Sequence, residues 1–340
     1  MTDEIFRPIE EDLRTKPTKN LALDLVRVTE AAALAAARHM GRGDKIAADK
    51  AAVDAMRLIL NTIEMNGVIV IGEGEKDEAP MLFNGERLGT GRPPELDIAV
   101  DPIDGTRPLS LGLANSIATV ALAPRGTMFD PGPFLYMNKI AVGPEARDVI
   151  DIEAPVEDNL RKIAKAKGED VEDLTVVILD RPRHEELIRE VREKTNARIR
   201  LIPDGDVAGA LMAALPGSGI DVLLGTGGSP EGVIAACAVR AMGGNFQGKL
   251  VARNEEEIER GKALGYDFEK VLMLDDLVSS NDVFFAATGI TNGDLMKGID
   301  YFADGATSES IVVRGLTGTI RRIQATHRLD KLGRISLIPY

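Results

Sequence analysis

Two carboxylates follow an apolar strand in residues 96–107, which read LDIAVDPIDGTR. The apolar run 98–100 is typical of a strand that is buried on both faces. Because Pro102 has no N–H group to continue a central ladder, we expect a turn that brings Asp104 back near Asp101. Two like charges that are held close together require a cation or a shared proton between them. The stretch therefore predicts either a metal site or a carboxylate pair that shares a proton.

A second acidic stretch lies in residues 68–81, VIVIGEGEKDEAPM. Here an apolar strand runs into Glu73, which lies between two glycines. The stretch is not a dinucleotide-binding fingerprint, since G-x-G-x-x-G requires a glycine where Asp77 stands. Alone it is more typical of a solvated turn, but carboxylates from several strand ends are the ligands that Mg²⁺ and Mn²⁺ require. Together with residues 96–107, it favours a metal site.

A Gly-rich loop in residues 225–239, GTGGSPEGVIAACAV, comes between a strand and a helix. Backbone N–H groups at such a helix start can bind an anion. We expect Ser229 to be the N-cap and Pro230 to be the first helical residue, which is a purely structural arrangement. Glu231 in the first turn could also reach a bound cation.

Basic and acidic residues follow two other strands. In RPRHEEL, residues 181–187, an arginine pair could bind a phosphate bidentately, although surface charge before a helix explains the pattern equally well. In PDGDVAG, residues 203–209, the pattern predicts a turn and then a helix with Asp204 or Asp206 as its N-cap.

The elements that must position these residues change along the chain. Helices are predicted over 20–40 and 46–64, and strands follow at 68–72 and 96–100, so the first part mixes helices with β-structure. From about residue 156 helices and strands alternate, which is typical of βαβ units with mostly parallel strands. We therefore predict two domains: an α+β domain over 1–155, expected to bind metal, and an α/β domain over 156–340, expected to bind substrate.

Composition narrows the functional class. The chain has 340 residues and a formal net charge of −13, and this charge argues against sequence-independent nucleic-acid binding. The N-terminal residues lack a signal-peptide pattern, and no apolar run approaches the length of a bilayer span. The single cysteine, Cys237, lies in an apolar helical stretch and is expected to be a buried thiol. We predict a cytoplasmic protein that binds neither membranes nor nucleic acid.

Several segments, in this order, resemble one enzyme family. DPIDGT with an upstream Gly-Glu resembles the signature of the lithium-sensitive, metal-dependent phosphatases. The wider set GRGDKIAADKAAVDAMR, VIVIGEGEKDEAPML, LYMNKI, IPDGDVA and GGSPEGV is similar to class II fructose-1,6-bisphosphatase, and the resemblance runs from about residue 20 to 327. It implies the layered α-β-α-β-α sugar-phosphatase fold and hydrolysis of the 1-phosphate of fructose 1,6-bisphosphate, giving fructose 6-phosphate.

The resemblance also implies roles for particular residues. The carboxylates that hold Mg²⁺ or Mn²⁺ would be Asp49, Glu73, Asp101, Asp104 and Glu231. The residues that act in catalysis would be Asp49, Thr106 and Lys45. The residues that contact the sugar bisphosphate would be Asp104, Gly105, Thr106, Tyr136, Arg181, Pro182, Arg183, Asp204, Gly205, Asp206 and Gly228. Many family members have Glu in place of Asp104 and Lys in place of Arg181.

Alternatives remain open at this level. The substrate could be sedoheptulose 1,7-bisphosphate or another small phosphate monoester, because pocket shape decides between such sugars. A sugar-phosphate sensor without catalytic activity is the alternative from another class. The family resemblance further implies a homodimer or a homotetramer.

Overall fold

Helices and strands alternate through most of this computed structural model, which describes residues 19–74, 81–335 and 338. The helices are α1 (Ala22–Ala37), α2 (Lys45–Leu60), α3 (Thr106–Leu111), α4 (Val156–Lys167), α5 (Glu185–Thr195), α6 (Asp206–Ala214), α7 (Ser229–Ala241), α8 (Glu255–Leu264), α9 (Leu274–Leu277) and α10 (Leu329–Ile335). The strands are β1 (Asn66–Ile71), β2 (Arg87–Leu88), β3 (Glu95–Asp104), β4 (Ile117–Pro124), β5 (Tyr136–Val142), β6 (Thr175–Leu179), β7 (Arg198–Ile202), β8 (Val222–Gly228), β9 (Asn245–Val251), β10 (Phe284–Gly289), β11 (Asp300–Phe302), β12 (Gly305–Arg314) and β13 (Thr319–Arg328).

The strands form two mixed sheets. The first sheet has the order β11-β12-β10-β4-β3-β1-β2, and β13 pairs with β12. In this sheet β1 and β3 are parallel, whereas β4 and β10 run antiparallel to their neighbours. The second sheet has the order β7-β6-β8-β5-β9. The predicted parallel arrangement holds for β7, β6 and β8, but β5 is antiparallel to both β8 and β9.

Three layers of helices enclose the two sheets. Helices α1 and α2 pack on one face of the first sheet. Helices α6 and α7 lie between the sheets, and α4 and α5 cover the outer face of the second sheet. Strand β3 illustrates the layering, since Ile98 and Val100 pack toward α1 and α2 while Ala99 packs toward α6 and α7. The predicted α/β and α+β class and the α-β-α-β-α layering are confirmed.

The two sheets do not divide the chain at one point. Strand β5 precedes residue 155 and belongs to the second sheet, while β10 to β13 follow that residue and belong to the first. The division into units 1–155 and 156–340 stays a prediction. None of the helices within the described residues is both long enough and apolar enough to cross a membrane.

Candidate functional site

The carboxyl ends of several strands open into one cavity of about 660 Å³. Most of the residues singled out in the sequence line it: Asp49, Glu73, Asp101, Asp104, Gly105, Thr106, Tyr136, Arg181, Arg183, Asp204, Asp206, Gly228 and Glu231. Lys45, Pro182 and Gly205 are not among its lining residues. The fold thus gathers side chains from both halves of the chain, and from both sheets, around one space.

A bulge, and not the predicted turn, brings the two aspartates of DPIDGT together. Strand β3 continues through Pro102 to Asp104, and its register with β4 shifts between Asp101 and Asp104. In a regular strand, residues three positions apart point to opposite faces. The extra residue of a bulge restores one common side, so both carboxylates face the cavity. Gly105 then adopts a φ of 96°, which favours glycine, as expected.

These carboxylates raise one another's pKa values. Burial raises the pKa of Asp101 well above its usual range, and the charges of Asp104, Glu231 and Glu73 raise it further. Burial and the charge of Asp206 likewise raise the pKa of Asp104. Partial desolvation, with the charges of Asp49 and Glu231, raises the pKa of Glu73 to about 7, although its side chain stays exposed at the cavity mouth. The cluster therefore carries more negative charge than neighbouring cations compensate.

The donor set fits a divalent cation. Oε2 of Glu231 is buried and has no hydrogen-bond partner among residues 19–74, 81–335 and 338. This carboxyl lies against the backbone of Gly228, where an added Cβ atom would be only 1.8 Å from Oε2. Within the same residues, no group of three or more Asp, Glu, His or Cys side chains is already arranged as a finished metal site.

Asp49 and Thr106 approach each other from α2 and α3. The hydroxyl of Thr106 donates a hydrogen bond to Oδ1 of Asp49 over 3.2 Å. Burial raises the pKa of Asp49, whereas this hydrogen bond and the charge of Lys45 lower it. Lys45 itself is exposed at the start of α2, where Asp44 is the N-cap. Lys45 therefore acts on the site through its charge.

Two arginines from the second sheet also line the cavity, together with Asp204 and Asp206. The guanidinium of Arg183 donates to the carbonyl oxygen of Thr226 over 2.9 and 2.7 Å and lies 5.5 Å from the ring centre of Tyr136. Arg181 forms an ion pair with Asp204 at 3.4 Å. Next to them, His184 is buried with its Nδ1 2.7 Å from the Leu179 carbonyl oxygen, so its role is structural.

The predicted helix caps are wrong. Gly205 is the N-cap of α6, and neither Asp204 nor Asp206 caps this helix. Instead Oδ2 of Asp104 accepts a hydrogen bond from the N–H of Ala208 over 3.1 Å, so a carboxylate from β3 caps α6. The carboxylate of Asp206 instead forms an ion pair with Lys139.

The cap predicted for α7 is also wrong. Gly228 is its N-cap and Ser229 is already helical, with a hydroxyl that donates to the carbonyl oxygen of Phe134. Pro230 is consequently the second helical residue and not the first. Both glycine caps allow the backbone to run directly beside the carboxylates.

Sequence reasoning missed Lys139. Its side chain is 1% exposed, and its Nζ lies 2.6 Å from Oδ2 of Asp206, whose side chain is 7% exposed. A charged residue inside the mostly buried strand β5 is the sequence signal that could have identified it.

Comparison with known proteins identifies the family. The family model described as bacterial fructose-1,6-bisphosphatase, glpX-encoded, matches residues 19–327. Fructose-1,6-bisphosphatase 1 class 2 of Escherichia coli K12 is 48% identical over 326 residues, which cover 92% of this chain and 96% of that protein. The chain belongs to the class 2 fructose-1,6-bisphosphatase family. The class 2 enzyme of Shigella flexneri matches over the same shares of both chains, also with 48% identity.

Solved structures also match, at low similarity. The extragenic suppressor protein SuhB of Bartonella henselae is 16% identical with a TM-score of 0.31, covering 57% of this chain and 71% of that chain. An IMPase of Thermotoga maritima is 16% identical with a TM-score of 0.30, covering 56% and 71%.

Family membership confirms the prediction of a fructose-1,6-bisphosphatase, and class 2 fructose-1,6-bisphosphatases are metal-dependent phosphatases. The roles of individual site residues stay predictions.

Proposed function

We propose that this chain hydrolyses the 1-phosphate of fructose 1,6-bisphosphate, giving fructose 6-phosphate and phosphate, with Mg²⁺ or Mn²⁺ as cofactor. The observation that carries the proposal is that one cavity is lined by a carboxylate cluster on the side of the first sheet and by two arginines on the side of the second. The acidic side must take up cations before a phosphate dianion can approach it. Arginines on the other side suit a second phosphate. A sugar with a phosphate at each end matches both the cation-binding carboxylates and the arginines.

The residues that would hold the metal ions are Asp49, Glu73, Asp101, Asp104 and Glu231. Their hard carboxylate oxygens suit Mg²⁺ and Mn²⁺. The unpartnered Oε2 of Glu231 and the mutual repulsion of the cluster support this assignment. When bound, such cations lower the pKa of water and neutralise charge on the phosphoryl oxygens.

Asp49 and Thr106 would handle the attacking water. Oδ1 of Asp49 would accept a proton from it, while the Thr106 hydroxyl, 3.2 Å from this oxygen, would orient it. Burial raises the pKa of Asp49, which makes the carboxylate a better base near neutral pH. Lys45 would limit that rise and keep Asp49 ionised. Thr106 and the Gly105 backbone would contact the phosphate that is removed.

The sugar and the far phosphate would lie toward the second sheet. Arg181 and Arg183 would bind the phosphate that is retained, and Tyr136 would contact the sugar beside Arg183. Asp204 and Asp206 would accept hydrogen bonds from sugar hydroxyl groups. Carboxylates of this kind bind neutral hydroxyls well but repel phosphate, so they favour one orientation of the bisphosphate.

A seven-carbon substrate is the second candidate. The cavity volume of about 660 Å³ lies well inside the range that holds ligands larger than a hexose bisphosphate. Sedoheptulose 1,7-bisphosphate presents the same phosphate next to the same ring, with one further carbon before the second phosphate.

The test is phosphate release by the purified, metal-free chain after addition of Mg²⁺, Mn²⁺ or chelator. Fructose 1,6-bisphosphate, sedoheptulose 1,7-bisphosphate and inositol 1-phosphate are the substrates. We expect metal-dependent release from the fructose bisphosphate at the highest kcat/KM. Protein that binds metal and sugar phosphate without releasing phosphate would contradict the proposal and indicate a sensor.

We propose a homodimer or a homotetramer that works in the cytoplasm. The family resemblance supports the oligomer, and the single cysteine, which can form no intrachain disulfide, suits a reducing compartment. Light scattering coupled to size exclusion measures the oligomer, and a monomeric mass at micromolar concentration would contradict it.

A further inference from the structure

A lysine lies buried directly behind the sugar-binding wall of the cavity. Nζ of Lys139 is 2.6 Å from Oδ2 of Asp206, and the two side chains are 1% and 7% exposed. Asp206 lines the cavity, whereas Lys139 does not line it and contacts Asp206 from β5, an interior strand of the second sheet. The pair therefore joins the interior of that sheet to the surface that contacts the sugar.

Two glycines lie against this ion pair, and their lack of a side chain leaves the space that it occupies. A Cβ atom on Gly227 would lie 1.8 Å from Oδ2 of Asp206 and 3.1 Å from Nζ of Lys139. A Cβ atom on Gly232 would lie 3.3 Å from Cε of Lys139. Any other residue at 227 would force the carboxylate out of its place. The local sequence is thus fitted to one position of Asp206.

Stability alone does not account for a pair of this kind. Buried ion pairs lose much of their attraction to desolvation, and apolar side chains of similar size often give an equal or higher stability. Charge compensation does account for it, because Asp206 lies close enough to Asp104 and Glu231 for its charge to act on both. Without Lys139, Asp206 would be repelled by the carboxylates expected to hold metal.

We propose that Lys139 is a positioning residue for substrate: it fixes Asp206 so that this carboxylate accepts hydrogen bonds from the sugar hydroxyl groups beside the metal-binding carboxylates. The inference rests on the proposed function. With Oδ2 held by the ammonium group, the remaining acceptor positions of Asp206 are available to the sugar. Lys139 itself does not touch the substrate and takes no part in the chemical step.

The test is a double-mutant cycle on binding. Lys139→Met removes the charge at similar side-chain length, and Asp206→Asn removes its partner. The dissociation constant of fructose 6-phosphate is measured by calorimetry in the full chain, with Mn²⁺ present. Lys139→Met should weaken binding at least tenfold in the wild-type background and less than twofold in the Asp206→Asn background. An equal effect in both backgrounds, or none in the wild-type background, would overturn the inference.

Kinetics separate positioning from catalysis. In Lys139→Met, KM for fructose 1,6-bisphosphate should rise at least tenfold while kcat changes less than threefold. The affinity for Mn²⁺ should be unchanged or higher, since a positive charge near the acidic cluster is lost. A variant that loses kcat at constant KM would also overturn the inference.

A matched pair elsewhere in the molecule is the control. Lys167 and Asp221 form a partly buried ion pair at the other end of the second sheet, away from the cavity. Lys167→Met should leave KM and sugar-phosphate binding unchanged.

A variant Lys139→Met that does not fold would require a second comparison. The double variant is then compared with Asp206→Asn, because the double variant contains no uncompensated buried charge at this pair. If the double variant binds fructose 6-phosphate more than twofold more weakly than Asp206→Asn, the inference is contradicted. A wild-type chain that neither hydrolyses fructose 1,6-bisphosphate nor binds fructose 6-phosphate would overturn the proposed function and this inference together. A wild-type chain that does both beside an unaffected Lys139→Met would overturn only the inference.

Discussion

The two ends of strand β3 carry aspartates in opposite circumstances. Asp97 is 2% exposed and its Oδ2 accepts hydrogen bonds from three successive N–H groups, at 2.7, 3.0 and 3.3 Å. Arg125 adds an ion pair with Oδ1 at 3.3 Å. Asp101, four residues later, accepts one N–H hydrogen bond, at 3.0 Å from Ile103, and otherwise faces carboxylates.

This difference separates a structural carboxylate from a functional one. The charge of Asp97 is compensated within the fold, so folding alone explains its presence. The negative charge of Asp101 is repelled by the neighbouring carboxylates, so this charge makes folding of the metal-free chain less favourable. We therefore expect Asp101 to have a partner from outside the chain, and a divalent cation has the required charge.

The largest effect is expected at the functional end. Asp101→Asn keeps the shape of the side chain but removes one carboxylate from the cluster. Loss of a metal ligand should lower kcat/KM on the order of 10³-fold or more. In chelator the variant should be at least as stable as wild type, because repulsion is relieved. Phosphate release and urea unfolding measure the two effects, and normal turnover would refute the role of Asp101.

The same substitution at the structural end should act on stability. Asp97→Asn breaks a buried charge pair and disturbs the three N–H contacts, so the free energy of unfolding should fall by about 3 kcal/mol. The folded variant should keep kcat within about twofold, since Asp97 is remote from the cavity. Urea unfolding and phosphate release on the same sample check this. A stable but inactive Asp97→Asn protein would remove the contrast between the two ends.

Asp104 belongs to both classes, and two substitutions separate its roles. Asp104→Asn can still cap α6 but carries no charge, so activity should fall roughly 100-fold with little loss of stability. Asp104→Glu keeps the charge but moves the cap, so stability should fall by about 1 kcal/mol while activity stays within about tenfold. Both are compared by kcat/KM and by urea unfolding. The reverse pattern would make Asp104 a capping residue only.

The thermal stability of the metal-free protein should fall gradually as pH rises. A carboxyl whose pKa is raised by folding stabilises the fold below its unfolded pKa, and this contribution is lost as pH rises through the folded pKa. For Glu73 the pKa rises from 4.5 to about 7, so Tm in chelator should fall across that interval. The fall should be smaller in Asp101→Asn and unchanged in Asp97→Asn. Saturating Mn²⁺ should abolish it, and a Tm that rises with pH would contradict the account.

Much of the fold could be predicted from local patterns. The spacing of apolar residues predicted α1 and α2 at 20–40 and 46–64, close to their observed bounds. The alternation after residue 156 predicted β6, β7 and β8. Membership of β10 to β13 in the first sheet could not be predicted this way, because long-range strand pairing leaves no local pattern.

The sequence predicted which types of residue line the cavity better than it predicted their geometry. Carboxylates after strands indicated a metal site, and the strands do converge on one cavity. The bulge at Pro102 was missed, because a proline at the end of a buried strand fits a turn equally well. The cap of α6 was missed since Asp104 reaches Ala208 from another element. Lys139 was missed for the same reason, as its partner lies 67 residues away.

The most direct test of the central claim is a calorimetric titration of Mn²⁺ into the chelator-treated chain. Wild type, Asp97→Asn and Asp101→Asn are compared at one pH near neutrality. We predict that wild type and Asp97→Asn bind Mn²⁺ with the same stoichiometry and similar affinity, and that Asp101→Asn loses at least one bound ion. Binding by Asp101→Asn that equals wild type would show that the acidic end of β3 is not the metal site.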